Sequence, residues 1–180
     1  MIDIKEYIRT VVDHPIPGIQ FRDISGLIEN TEAFNQTLLD LTTIAKTFGA
    51  TKIIGIDSRG FVFGAPVARD LDIPFIMARK PGKLPGDVYK KDYELEYGTA
   101  SLEIQTITDI KPSDVVVIVD DLIATGGTAI ACADIVHENF NVIKNNILVL
   151  AVIDLPDLGG FNKIHDHGYH TSALIEFEGE

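Results

Sequence analysis

Apolar positions along the chain follow two periods that replace each other several times. Ile4, Ile8 and Val11 or Val12 recur at helical spacing and predict a short helix over residues 3–12. His14-Pro15-Ile16-Pro17-Gly18 breaks it and leaves an irregular segment through Ser25. From Asn30, a residue suited to cap a helix, Phe34, Leu38, Leu41, Ile44 and Phe48 mark one face of a long helix, which Gly49 stops. Lys52–Ile56 reads as a buried strand, residues 61–71 as a helix and Ile73–Ala78 as another apolar run. Residues 79–98 break this rhythm: Pro81, Gly82, Pro85, Gly86 and many charges predict a mobile loop flanked by a hairpin. Ala100–Ile107 alternates apolar and polar residues, as a hairpin arm does. Val115–Val119 is an unbroken apolar run, expected to end at Asp120 and Asp121, and Ile130, Ala133 and Val136 then recur as in a helix. Ile147–Ile153 is a further buried strand, residues 154–160 a loop, and Ser172–Phe177 a last strand.

Buried strands alternating with helices predict an α/β fold with a central, mostly parallel sheet flanked by helices. The 180 residues suffice for one domain with a proper core, expected to span 1–180. Ligands of such sheets bind at the C-terminal ends of the strands. Three segments therefore become candidates together: Asp57-Ser58-Arg59-Gly60, Arg79–Lys83 and Asp120–Thr128.

Composition narrows the picture. The apolar share of 46% is ordinary for a globular chain. No apolar run approaches a membrane span and the first residues carry no signal-peptide pattern, so a cytoplasmic chain with no membrane partner is expected. Cys132 is the only cysteine, which excludes a disulfide framework and a thiolate metal cage and reads as packing. A net charge of −12 argues against nucleic acid as a partner. Five of the 15 basic residues, Arg79, Lys80, Lys83, Lys90 and Lys91, nevertheless cluster in one stretch. They form either a solvated charged loop or a local site for a small anion.

The densest signal is the strand, turn and helix pattern of residues 115–130. Ala124, Thr125, Gly126, Gly127 and Thr128 stand at the start of the predicted helix, an arrangement that delivers a phosphate to a helix N-terminus. There is no P-loop lysine and no G-x-G-x-x-G, so triphosphate or dinucleotide binding is unsupported. The plainer alternative is a β–α turn with Asp and Thr as helix caps. Two carboxylates beside a phosphate cradle should repel the phosphate. They make sense if the ligand offers hydroxyl donors next to its phosphate, as a ribose 5-phosphate does.

These residues, VVVIVDDLIATGGT, resemble the phosphoribosyl pyrophosphate (PRPP) signature of type I phosphoribosyltransferases. The segments PGIQFRDIS, GIDSRGFVFGAPVA, ARKPGKLPGDVY and YELEYGTASLEI, in this order, are similar to the adenine phosphoribosyltransferases within that family, from about residue 15 to about residue 160. The resemblance implies transfer from PRPP to adenine with release of AMP and pyrophosphate, a purine-salvage step. It implies a hood over the site, built from about residues 1–35 and the 79–98 loop, and a homodimer.

It also implies roles. Backbone N–H groups of Ala124–Thr128, with the Thr125 and Thr128 hydroxyls, bind the 5-phosphate. Asp120 and Asp121 accept from the ribose hydroxyls, charge-assisted bonds of roughly 1.5–3 kcal/mol each, and stabilise an oxocarbenium-like transition state. Asp57, Ser58 and Arg59 form the pyrophosphate loop, with a non-proline cis peptide at Asp57–Ser58, and Arg79, Lys80 and Lys83 supply positive charge, with one face of their loop available to a neighbouring subunit. Mg²⁺ arrives with the substrate rather than in a protein cage. Glu96 is the acid–base candidate over the purine, with Tyr97 closing the site; taken alone, without the resemblance, Glu96 reads as an exposed hairpin glutamate. Phe21, otherwise an ordinary core aromatic, stacks on the base, and backbone groups near Arg22 and Ile24 read its exocyclic amine. Gln20 departs from the aliphatic residue expected there and puts the base contacts in question.

Two alternatives stay open: the same chemistry on hypoxanthine, guanine or xanthine, and a non-catalytic PRPP-sensing regulator with the same fold. His165, His167 and His170 fit no metal-ligand spacing and read as a surface turn.

Overall fold

The computed structural model describes residues 2–95 and 98–179. A 3-10 turn at Ile4–Tyr7 leads into β1 (Arg9–Val12), β2 (Gln20–Asp23), α1 (Ser25–Glu29), α2 (Thr31–Phe48), β3 (Lys52–Ile56), α3 (Arg59–Leu71) and β4 (Phe75–Ala78). There follow β5 (Val88–Leu95), β6 (Gly98–Gln105), β7 (Val116–Ile123), α4 (Gly127–Phe140), β8 (Ile147–Asp154), α5 (Gly160–Asp166) and β9 (His170–Glu176). Five strands form one parallel sheet in the order β4-β3-β7-β8-β9, while β1–β2 and β5–β6 are separate antiparallel ribbons.

The continuous apolar runs are strands covered on both faces. All eight residues of β8 are buried. One core cluster joins Ile54, Ile118 and Val149 to the α4 residues Cys132, Ile135 and Val136 and to Leu102 and Ile104 of β6. The other joins Ile53, Val117 and Leu150 to Leu41, Phe63 and Val67 of α2 and α3. The α2 boundaries match their sequence signals: Asn30 Oδ1 accepts from the Ala33 N–H at 2.9 Å, and Gly49 ends the helix at φ 89°. Its fully buried line is Ala33, Thr37, Leu41 and Ala45, one position round from the bulky residues, which flank it partly buried.

Several expectations change. The helix over residues 3–12 is instead a 3-10 turn followed by a strand: β-branched Thr10, Val11 and Val12 pair with Arg22, Phe21 and Gln20. The segment thought irregular thereby supplies β2, and α1 follows it directly. The 79–98 loop is shorter than expected, because its second half is β5, paired over eight residues with β6. The strand of the main motif runs through both acids to Ile123, since β8 continues beside it (Ile123↔Asp154) after pairing with β3 stops at Gly55↔Val119. Helix α5 carried no recognised sequence signal.

Candidate active site

The C-terminal ends of β3, β7 and β8 open into three adjoining cavities. Helix α3 can start against β7 because Gly60 lacks a side chain: a Cβ there would stand 2.5 Å from the Val119 carbonyl oxygen. Just before it, the Asp57–Ser58 peptide is cis. The Asp57 carboxylate, 3% exposed, pairs with Arg79 Nε at 3.1 Å and Lys83 Nζ at 3.6 Å. Glu103 secures the same basic segment, exchanging backbone hydrogen bonds with Arg79 and accepting from the Gly82 N–H at 3.1 Å. Two of the three cations expected from the basic segment, Arg79 and Lys83, are thus tied to Asp57. Lys80, with Asp57, Ser58, Arg59, Asp120 and Asp121, lines a cavity of about 490 Å³.

Along β7, Val117, Val119 and Leu122 pack into one core cluster, whereas Val116, Ile118 and Ile123 pack into the other. The two-residue alternation of a strand therefore slips by one at the acid pair, and both carboxylates line one cavity. Asp120 Oδ1 accepts from the Asp121 N–H at 2.9 Å. Burial, and next the Asp121 charge, push Asp120 well above the ordinary carboxyl range. Burial also raises Asp121, against the pull of Arg59, whose Nε lies 3.1 Å from Asp121 Oδ2. That oxygen is buried and accepts no hydrogen bond among the described residues. The arrangement is poised for a ligand that brings donors or positive charge.

The loop after β7 is not a capping motif. Its helix starts at Gly127, and the N-cap is Gly126 at φ 80°, which makes no side-chain cap bond. The first-turn N–H groups that an α-helix leaves unpaired thus point to a cavity of about 200 Å³ lined by Asp120 and residues 122–129. Gly126 is required twice over: its φ is left-handed, and a Cβ would approach the Gly160 carbonyl oxygen to 2.9 Å.

The third cavity, about 320 Å³ and mostly apolar, is bounded by residues 18–22 on one side and by Leu122, Leu155 and Leu158 on the other. Phe21 stands at its wall, edge-on to His14 at 5.1 Å, with the Arg59 guanidinium 5.4 Å from its ring centre. Gln20 lines the cavity too, its amide lying against Gly179. Arg22 lines the wall with its side chain turned to bonds elsewhere, whereas Ile24 is buried in the α2–α3 core cluster and does not line the cavity. Leu155 and Leu158 were missed from the sequence, although the ends of parallel strands are where ligands bind and both follow β8.

Glu96 and Tyr97 lie outside the described residues. The three histidines do not converge: His167 Nδ1 lies 2.8 Å from the Lys163 carbonyl oxygen, and His170 packs edge-on against Phe48. Among the described residues no group of three or more His, Cys, Asp or Glu side chains is placed to hold a metal ion. Cys132 is fully buried in the α4 core, and its thiol is pushed up by burial.

Residues 30–144 match the phosphoribosyl transferase domain family. Adenine phosphoribosyltransferase of Shewanella loihica is 44% identical over 177 residues, covering 98% of this chain and 96% of that one. The chain belongs to the adenine phosphoribosyltransferase family. Its fold agrees: the adenine phosphoribosyltransferase of Thermoanaerobacter pseudethanolicus superposes with a TM-score of 0.88 at 40% identity, covering 97% of this chain and 98% of that one. The Giardia lamblia member, complexed with 9-deazaadenine, does so with a TM-score of 0.90 at 34% identity, covering 97% and 96%. Like these relatives, the chain is a phosphoribosyltransferase enzyme. No described helix is long and apolar enough to cross a membrane.

Proposed function

We infer that this chain transfers the 5-phosphoribosyl group of PRPP to adenine, forming AMP and pyrophosphate. The observation that carries the reading is the meeting of three cavities at Leu122, directly after the acid pair. Asp120 is shared by the phosphate-loop and basic-loop cavities, Arg59 by the basic-loop and apolar ones, and Leu122 by all three. A ligand with a phosphate, a hydroxylated ring and a diphosphate, set beside a flat base, matches that sequence of environments.

In this reading Ala124, Thr125, Gly126, Gly127 and Thr128 hold the 5-phosphate through the α4 N-terminus. Asp120 and Asp121 accept from the ribose hydroxyls. Those donors, and the positive charge that grows on C1 as its bond to the diphosphate oxygen breaks, favour the ionised acids that burial alone disfavours. The diphosphate leaves with the bonding pair toward Ser58, Arg59 and Lys80, and competes with Asp57 for Arg79 and Lys83. Adenine lies on Phe21 between the residue 18–22 wall and Leu155–Leu158, with Gln20 and the backbone at Arg22 selecting the base. As N9 forms its bond to C1, the base gives up its ring proton, in the reacting tautomer the one on N7, to the Glu96 carboxylate, which returns it to N7 in the reverse reaction, and Tyr97 helps to exclude water.

The donor set suits a substrate-borne Mg²⁺: hard oxygens, one of them buried and without a hydrogen bond among the described residues, in a cavity roomy enough for bound waters. Bound there, Mg²⁺ supplies charge neutralisation on the diphosphate. A cytoplasmic homodimer whose hood is formed by residues 1–35 and 79–98 completes the proposal.

The test is to incubate the protein with PRPP, Mg²⁺ and adenine, hypoxanthine, guanine or xanthine in turn, following nucleotide and pyrophosphate. AMP formation from adenine, with the other bases slow, is expected. Faster turnover of an oxopurine would reassign the base. PRPP binding without pyrophosphate release from any base would make the chain a sensor.

A further inference from the structure

The Arg22 side chain has no part in the chemistry above, yet it is among the most constrained groups outside the core. It is 5% exposed. Its Nη1 donates to Thr10 Oγ1 at 2.5 Å, and its Nη2 donates to the carbonyl oxygens of Glu178 and Gly179 at 2.9 and 3.2 Å. The guanidinium also lies 4.8 Å from the centre of the Phe177 ring, which Lys5 Nζ approaches to 4.6 Å. Burying a guanidinium without a carboxylate partner is expensive, so this geometry persists only because several groups hold it together.

The bonds continue across the base cavity. The Gly179 N–H donates to Asp157 Oδ2 at 2.7 Å. Asp157 sits in the turn Pro156–Leu158, flanked by the cavity residues Leu155 and Leu158. Residues 178–179 therefore form a bridge: Arg22 anchors it to one wall of the apolar cavity and Asp157 to the other. The amide of Gln20, on the same wall as Arg22, rests against this bridge. No sheet performs this task, because β1–β2 is a four-residue ribbon that is not hydrogen-bonded to the main sheet. An isolated two-stranded ribbon is only marginally stable.

We propose that Arg22 is a positioning residue that sets affinity for the purine: by clamping residues 178–179 against Asp157 it fixes the separation of the two walls between which the base is held. This rests on the functional reading above, in which the β2 backbone and Phe21 meet the base. In that reading the phosphate and ribose groups are held by the acid pair and the loop after β7, to which none of the clamp's hydrogen bonds is made. Loss of the clamp therefore weakens one substrate and not the other.

The test compares the full chain with Arg22→Met, which keeps the apolar stem without donors, Arg22→Lys, which restores one cation, and Asp157→Ala, which cuts the other end of the bridge. Melting temperatures and circular dichroism establish that each is folded. Arg22→Met raises KM for adenine tenfold or more, with KM for PRPP and kcat within twofold; Arg22→Lys recovers part of the loss. Asp157→Ala shifts KM for adenine in the same direction, and the double variant shows less than the product of the two effects because both break one bridge. An unchanged KM for adenine, equal rises in both KM values, or a fall confined to kcat overturns the clamp. If Arg22→Met does not fold, Arg22→Lys and Asp157→Ala decide by the same split. A wild-type protein inactive with every purine and PRPP would instead sink the functional reading itself.

Discussion

At the phosphate end of the site, the loop after β7 hangs from a sheet whose central strands have partners on both sides, and the neighbouring strand β8 is buried along its whole length. At the base end, Phe21 belongs to a ribbon of four paired residues whose outer strand β1 is exposed at three of its four positions. The first end is positioned by backbone hydrogen bonds and apolar packing. The second is positioned by a few side-chain bonds, chiefly those of Arg22. The division has a physical logic. Holding a ribose phosphate and a developing cation calls for preorganised dipoles and charges that do not relax, whereas a flat base needs a wall that lets it in and out.

Asp120→Asn puts the greatest strain on this contrast. Its kcat should fall by on the order of 100-fold, as when one preorganised charge-stabilising group is removed elsewhere, with a smaller change in KM for PRPP. A raised KM at undiminished kcat would contradict the transition-state role. The same substitution should stabilise the free protein. Because the folded Asp120 carboxyl lies above its ordinary 3.8, ionisation favours the unfolded chain, and this penalty builds as pH rises from about that value toward the folded one. The melting temperature of Asp120→Asn should exceed the wild type's at pH 7, and the gap should close as pH falls toward 4.

Arg59→Gln tests the hinge between the two ends, since Arg59 both pairs with Asp121 and lies over Phe21. KM should rise for both substrates, on the order of tenfold for PRPP, where a charge-assisted contact is lost. An effect on adenine alone would place Arg59 in the base wall only. The smallest effect belongs to Phe21→Leu. Losing an aromatic stacking partner removes about 0.5–1.5 kcal/mol, so KM for adenine should rise between about two- and tenfold, while KM for PRPP stays put. Equal shifts in both constants would mean that the two ends are mechanically coupled.

The same contrast explains what could be read in advance. Strands β3, β7 and β8 were legible because burial on both faces demands unbroken apolar runs, and α2 because Asn30 and Gly49 punctuate it. The N-terminal ribbon was harder. Ile4, Ile8 and Val11 imitate a helical period, yet β1 forms through pairing with β2, a contact between segments separated by the His14–Gly18 turn. Helix α5 is seven residues long with only Gly160 and Ile164 buried, too short to impose a period.

The sequence by itself determined the parallel sheet, the glycine-containing loop at the start of α4 and the pairing of two acids with it, because each follows from local periodicity and from residue types that few other environments tolerate. Only the tertiary structure decided that the strand alternation slips at Asp120–Asp121, that Arg59 links the acid pair to Phe21, that Leu155 and Leu158 bound the apolar cavity opposite residues 18–22, and that Arg22 holds residues 178–179 across it. These facts depend on side chains from distant segments meeting in space, and no spacing along the chain encodes such meetings.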